Sequence, residues 1–462
     1  MTSRRNSLLA VFLVAAVGAS GCSTISRINP FHGKAGPQET ASEGERISIV
    51  AADQKLEVAD ALKGVDFALP TPTVVADWPL PGGTPEQSIE HVDAAPNLAI
   101  AWRRGFGQGS KAGYQLTAPP VAAGGKIFVM DADDTVSAHD AQSGAQIWRT
   151  SIKPTDNKRD REGSGGGVAY ADGKLYVSSG YREVVQLDAA TGAMGWRTRT
   201  EQPMHAAPNV SGGRVLVVSL DNTLLTFDAA TGAPGWTYQA LSESARILAA
   251  SSPAVQGDTV VASFGSGELV ALRSSNGNDL WNEALSRASR TSALSEIRDI
   301  PGRPVIYQGD VYAVSHSGVF AATDLRTGQA RWSLPVVGIT TPWPAGDVVY
   351  VVSKAGEVIC AARESGQVYW IRDLNAGFKP KRVGGFLKIG SHKTLRPIWS
   401  SPLLANNRLL IAGSSGELVS VNAKTGEIEK RVELGGPAVI GPIAVGNTVY
   451  VVTDAAQLIA LR

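Results

Sequence analysis

Gly173-Lys174-Leu175-Tyr176-Val177-Ser178, then Val184-Val185-Gln186-Leu187-Asp188-Ala189-Ala190-Thr191-Gly192, then Trp196, form one copy of a unit that recurs along the chain. A turn glycine opens an apolar strand, a second strand follows, and an Asp-Ala-x-Thr-Gly turn leads into a third that carries tryptophan. The tryptophan follows the glycine by four positions in Gly144/Trp148, Gly192/Trp196, Gly232/Trp236, Gly277/Trp281, Gly328/Trp332 and Gly366/Trp370. A further copy, Asn422-Ala423-Lys424-Thr425-Gly426, has Lys430 where tryptophan is due. The tryptophans return roughly every 40 to 50 residues, the period of a four-stranded propeller blade.

Working outward, each unit opens on a proline, as in Ala118-Pro119-Pro120, Ala207-Pro208-Asn209, Ser252-Pro253-Ala254, Arg303-Pro304-Val305, Thr341-Pro342-Trp343, Ser401-Pro402-Leu403 and Gly441-Pro442-Ile443. Gly167-Val168 takes that place in the second unit. Proline cannot donate to a ladder and belongs at a strand's start. With a third strand of alternating type, such as Glu268-Leu269-Val270-Ala271-Leu272, four strands per unit result. The openings predict an all-β, eight-bladed β-propeller of four-stranded antiparallel blades.

The last unit stops after its third strand, at Leu458-Ile459-Ala460-Leu461-Arg462. Leu98-Ala99-Ile100-Ala101-Trp102 precedes the first opening and is expected to complete that blade, closing the ring and leaving no open edge. One indole per blade at a fixed place favours packing between sheets over ligand binding. Trp102, Trp148, Trp196, Trp236, Trp281, Trp332 and Trp370 are therefore read as structural.

A length of 462 residues exceeds the roughly 250 to 300 that one core usually serves, but stacked repeats bury each sheet against the next. Forty-three basic against 42 acidic residues leave a net charge of +1, which argues against a nucleic-acid partner. The histidines and the two cysteines, Cys22 and Cys360, show no zinc spacing, and Cys360 in Val358-Ile359-Cys360-Ala361 reads as a buried small hydrophobe.

Arg4 and Arg5, an apolar run from Leu8 to Val17, and Ala19-Ser20-Gly21-Cys22 read as a secretory signal over residues 1–21, too short for the roughly 20 residues of a spanning helix. The small residues before Cys22 resemble a lipobox, in which that cysteine is acylated and anchors the chain to a membrane. Ser23 in second place implies the periplasmic leaflet of the outer membrane. Residues 22–45 are expected to be a lipidated cysteine and flexible tether, residues 46–96 an extended segment lying against the outside of the propeller with Trp78 docked, and residues 97–462 the propeller.

From about residue 98 to 462 the repeats resemble those of quinoprotein (PQQ-type) propellers. Together with Cys22 and the ending Gly446-Asn447-Thr448-Val449-Tyr450-Val451-Val452-Thr453-Asp454, the chain resembles the BamB family, lipoprotein scaffolds of the outer-membrane β-barrel assembly machinery. The resemblance implies no catalysis and no cofactor. It implies a BamA-like partner bound through a POTRA domain, contact with nascent outer-membrane proteins, and loops of the fourth and fifth blades as the binding site. Carried over by the Ser-x-Pro opening, the first loop is Arg246-Ile247-Leu248, an apolar pair with an arginine, in an order altered from the family's. In the second, Asp299 matches one of two acidic positions and Pro301 replaces the other. An apolar pair with an arginine suits a hot spot, and a rim carboxylate steers a partner.

Two other readings remain. A PQQ-dependent dehydrogenase requires, by the same resemblance, an adjacent cysteine pair that the chain lacks. A generic periplasmic binding propeller, for peptidoglycan or a protein ligand, has two candidate loops: Asp156 to Gly167, of mixed charge, and the basic stretch Phe378 to Arg396 with Trp399 beyond it.

Overall fold

The computed structural model describes residues 56–112, 114–154, 165–241, 251–286, 297–380, 382–383 and 392–462. Eight antiparallel four-stranded sheets follow one another in the chain. Their first strands are Val121–Ala123, Gly166–Ala171, Asn209–Ser211, Ala254–Gln256, Val305–Tyr307, Trp343–Ala345, Leu403–Ala405 and Ile443–Val445, and we number the blades 1 to 8 in that order. The first strands of neighbouring blades approach one another, so they ring an axis and the fourth strands face outward. Burial follows. In blade 2, Leu175–Ser179 and Glu183–Leu187 are buried throughout, whereas Met194–Arg199 is mostly exposed. The third strands are not half-exposed as their pattern predicts: Glu268–Leu272 is buried at every position, because blades cover both of its faces.

Blade 8 takes its fourth strand from the other end of the chain. Ile100–Gly105 pairs antiparallel with Gln457–Leu461, Ile100 opposite Leu461 and Gly105 opposite Gln457. Every blade has a register shift between its third and fourth strands, at Ala138/His139 in blade 1 and Ala271/Leu272 in blade 4, for example. The closing strand has its own between Ile100 and Trp102. It therefore behaves as an ordinary fourth strand.

The glycine and tryptophan of the repeat meet across blades. A Cβ on Gly192 would lie 2.5 Å from the ring of Trp148, which belongs to the preceding blade. Gly232 meets Trp196, Gly277 meets Trp236, Gly328 meets Trp281, Gly366 meets Trp332, Gly426 meets Trp370 and Gly144 meets Trp102 in the same way. The indole N–H then donates to a carbonyl of the following blade: Trp148 to Ala189 O at 3.1 Å, Trp236 to Ser274 O at 2.9 Å, Trp332 to Arg363 O at 2.7 Å. Trp370 Nε1 is buried without a partner. The carbonyl due to it, Ala423 O, accepts from the Tyr350 hydroxyl at 3.0 Å.

Residues 73–95 do not lie outside the propeller, as the sequence suggests. They lie in the axial channel and touch all eight blades. Trp78 N–H donates to Ala122 O (2.7 Å, blade 1), Tyr170 N–H to Pro79 O (2.7 Å, blade 2), and Asn209 Nδ2 to Pro85 O (2.8 Å, blade 3). Val255 N–H donates to Pro85 O (2.7 Å, blade 4), Ile306 N–H to Glu86 O (3.0 Å, blade 5) and Trp343 Nε1 to Glu90 O (2.9 Å, blade 6). Val92 N–H donates to Leu404 O (3.1 Å, blade 7) and Gly446 N–H to Val75 O (2.8 Å, blade 8). The reason is hydrogen-bond accounting. Eight first strands turn their outer edges to the axis, and a proline-rich extended segment with few donors of its own offers carbonyls to them. Trp78 is 1 % exposed and stacks on Trp343, ring centroids 6.5 Å apart.

Before residues 73–95, the plug of the channel, a short 3-10 turn at Asp60–Leu62 and Phe67, packed on Tyr369, run across blades 6 and 7. The Ala59 N–H donates to Val368 O at 2.9 Å and Ala68 N–H to Asp347 Oδ2 at 2.8 Å.

Candidate functional site

The two faces of the ring are built from different loops. On one, the turn after each first strand meets the Asp-Ala-x-Thr-Gly hairpin, as in Ala189 N–H to Gly173 O at 3.0 Å. The hairpin is closed by its own side chains: Asp188 Oδ1 accepts from Thr191 N and Thr191 Oγ1 at 3.0 and 2.9 Å. Lys174 first, then these Thr191 donors, hold the Asp188 carboxyl down to about 2. The plug enters from this face. The connections between blades occupy the other, together with the turns between second and third strands, as Thr200 N–H to Arg182 O shows at 2.9 Å.

The described connection that carries Asp299, between blades 4 and 5, belongs to the face away from the plug. Arg246, Ile247 and Leu248 lie outside the described residues, as does Cys22. Asp299 is described, and it is not on the rim: the residue is 1 % exposed. It lines a closed recess with Leu220, Asn222, Phe264 and Ile300, and its carbonyl accepts from His316 N–H at 2.8 Å. His316 Nε2 lies 2.7 Å from Lys354 Nζ, and burial first, then that ammonium, lowers its pKa. Blades 4, 5 and 6 are thus tied together beneath this part of the face.

An open groove of about 550 Å³ lies between blades 3 and 4. It is lined by Asp221, Tyr238, Gln239, Leu241 and Glu268. Leu241 is 66 % exposed and stands immediately before residues 242–250. Burial pushes the Glu268 carboxyl up, but hydrogen bonds from Asn282 (2.9 Å), Ser266 (2.7 Å) and the Leu241 N–H (2.8 Å) outweigh it, and the net shift is downward. The groove therefore joins an exposed aliphatic side chain to a fixed negative charge. No sequence motif marks it, because its residues come from a turn and a strand end of blade 3 and a strand start of blade 4.

The tryptophans are brought together only pairwise, with their glycines, and none forms a row open to solvent. Cys360 is buried, and burial pushes its thiol well above the usual range. Among the described residues no group of histidine, cysteine and carboxylate side chains is placed to hold a metal ion. The 156–167 loop lies mostly outside the described residues. Of the basic stretch, Leu395 is 89 % exposed and Arg396 pairs with Asp373 at 3.0 Å, while Trp399 is buried and donates to Asn375 Oδ1 at 3.0 Å.

Comparison with known proteins adds the following. A family model described as outer membrane protein assembly factor BamB matches residues 86–154, 132–372 and 388–462. The BamB of Salmonella typhimurium is 26 % identical over 347 residues, covering 72 % of this chain and 83 % of that one. The Escherichia coli BamB is 24 % identical over 341 residues, covering 73 % and 82 %. In structure, the BamB of Moraxella catarrhalis superposes with a TM-score of 0.65 at 19 % identity, over 79 % of this chain and 99 % of that one. A europium-containing methanol dehydrogenase superposes at 0.61 with 15 % identity, over 81 % and 89 %, which shows a shared fold.

Proposed function

Because the chain belongs to the BamB family of outer membrane protein assembly factors, we propose that it is a non-enzymatic scaffold that holds a BamA-like barrel protein through a POTRA domain and assists folding and insertion of β-barrel proteins. It acts in outer-membrane protein assembly; the partner contact is assigned here to the face opposite the plug. The observation that carries the reading is the family match, which runs through the repeats of every blade. Supporting it, the chain's own residues 56–72 run across blades 6 and 7 on one face, and the other carries the Leu241 groove between blades 3 and 4. Against catalysis stand the lack of an adjacent cysteine pair and the burial of Cys360. Acylated Cys22 would anchor the chain to the outer membrane, facing the periplasm, and nascent outer-membrane proteins would meet the same face.

Capture of the barrel protein from detergent extracts tests this. Replacing Arg246, Ile247 and Leu248 by alanine is expected to weaken capture about 30-fold, the loss of a 2 kcal/mol hot spot. Leu241→Ala, at the groove, weakens it less. Undiminished capture by both variants overturns the assignment of the face. Asp299→Asn is kept separate, because a buried carboxylate acts on partner binding only by positioning the loops around it. A Cys22→Ala chain is expected to leave the membrane fraction.

A further inference from the structure

The plug does not fill the channel. Between its tip and the first-strand openings of blades 1 and 5 to 8 remains a cavity of about 40 Å³, lined by Trp78, Gln87, Arg303, Thr341, Trp343 and Ser401 among others. Arg303 is the only charged residue of that lining. Its Nε is buried with no hydrogen-bond partner. No carboxylate pairs with its guanidinium among the described residues, and burial alone pulls its pKa down to about 10. A cation held out of bulk water without a counter-charge is costly, and native structures pair such groups or solvate them.

The neighbouring groups are donors as well. Thr341 Oγ1 accepts from the Arg303 N–H at 3.1 Å, and Ser401 Oγ from the Thr341 N–H at 2.8 Å. Each hydroxyl is thus oriented as an acceptor toward the backbone, with its own proton left to give. Gln87 Nε2 donates to Pro253 O at 3.0 Å, and its Oε1 is buried without a partner. That oxygen calls for a water hydrogen.

We propose that this axial cavity binds a small monovalent anion, a halide or a formate-sized carboxylate, on the Arg303 guanidinium and the Thr341 and Ser401 hydroxyls, with a water bridging to Gln87. Size sets the class: a water needs about 10–15 Å³ of such space, so about 40 Å³ holds an ion of a few atoms beside a water and excludes a phosphate ester or a quinone. The plug supplies one wall through Trp78 and Gln87, and five blades supply the rest. An ion bound there is held only when the plug is seated, and by linkage it stabilises the plugged form.

The test uses the full chain in detergent, at constant ionic strength, with gluconate as the background anion because it is too large to enter. Exchanging gluconate for chloride, bromide or formate is expected to raise the Tm of the wild type by on the order of a few degrees and to leave R303M flat, with the gap widening as the ion is added. The halide and formate arms separate inorganic ions from carboxylates. A Tm difference between R303M and the wild type that is independent of the ion means that Arg303 only packs, and overturns the proposal. So does an equal response of both proteins. If R303M does not fold, bromide-soaked crystals of the wild type decide. An anomalous peak within hydrogen-bonding reach of Arg303 supports the site, and bromide found only on the outer surface sinks it.

Discussion

Each glycine of the repeat has two reasons to be glycine, and they are separable. Gly232 has φ +75°, and an added Cβ would also strike Trp196 at 2.5 Å; Gly213 has φ +72° and open space around it. Gly213→Ala is expected to cost about 1 kcal/mol, the left-handed backbone alone, and Gly232→Ala clearly more, on the order of 2 to 4 kcal/mol, because blade 3 must move off blade 2. Chemical denaturation of the two variants checks the difference. The exception in the repeat has the same cause. Lys430 stands where the seventh tryptophan is due because the next blade has no third-to-fourth hairpin: its strands there are the two ends of the chain. Lys430 Nζ donates instead to Asn97 O at 2.7 Å, beside the join. Asp134 gives a pH prediction. Burial first raises its carboxyl to about 8, although Ser179 Oγ donates to it. With a folded pKa above the unfolded one, its contribution is fully favourable below about 4 and is lost as pH rises toward 8, by up to about 1.4 kcal/mol per unit. The Tm of Asp134→Asn minus that of the wild type should therefore rise between pH 5 and 8, and a difference that stays flat or falls with rising pH contradicts this.

Among elements, the plug was the least legible. Its sequence, Trp78-Pro79-Leu80-Pro81 and onward, shows extended backbone and nothing about where that backbone goes, because its partners are edge groups of eight strands far away in the chain. The blades were legible because their bonds are local and repeated. Partner loops were legible only by resemblance, since loops carry no periodicity, and that resemblance could not show that the Asp299 side chain turns inward. Trp78→Ala empties a fully buried site and is expected to cost about 3 to 5 kcal/mol. Its sharper signature is local: limited proteolysis should cut within residues 56–95 well before any blade. Gly82→Ala, whose Cβ would meet Gln87 Oε1 at 2.5 Å, should give the same pattern with the tryptophan intact. Simultaneous loss of plug and blades would mean that the two are one cooperative unit.

For the molecule as a whole, closure sets the assembly state. A chain lacking residues 98–105 leaves Gln457–Leu461 as an unpaired edge with a buried, apolar composition. It is expected to elute from size exclusion as dimers and larger species, and a stable monomer would show that the ring does not need its clasp. The sequence separation it spans makes that clasp unusual. Residues 73–105 precede every blade in the chain, yet they bond to Leu404, Gly446 and Gln457–Leu461, which belong to its last two blades. Blades 1 to 7 each form from contiguous sequence and can take up residues 73–95 in turn, whereas the bonds to Gly446 and the pairing of Ile100–Gly105 must wait for the last blade. Loop-closure entropy this large is met only at the end, so the final step of folding has a high contact order and is slow. Until both contacts are made the ring gapes at its last blade, and whatever escorts the chain in that interval shields the apolar edge Gln457–Leu461 before any other strand.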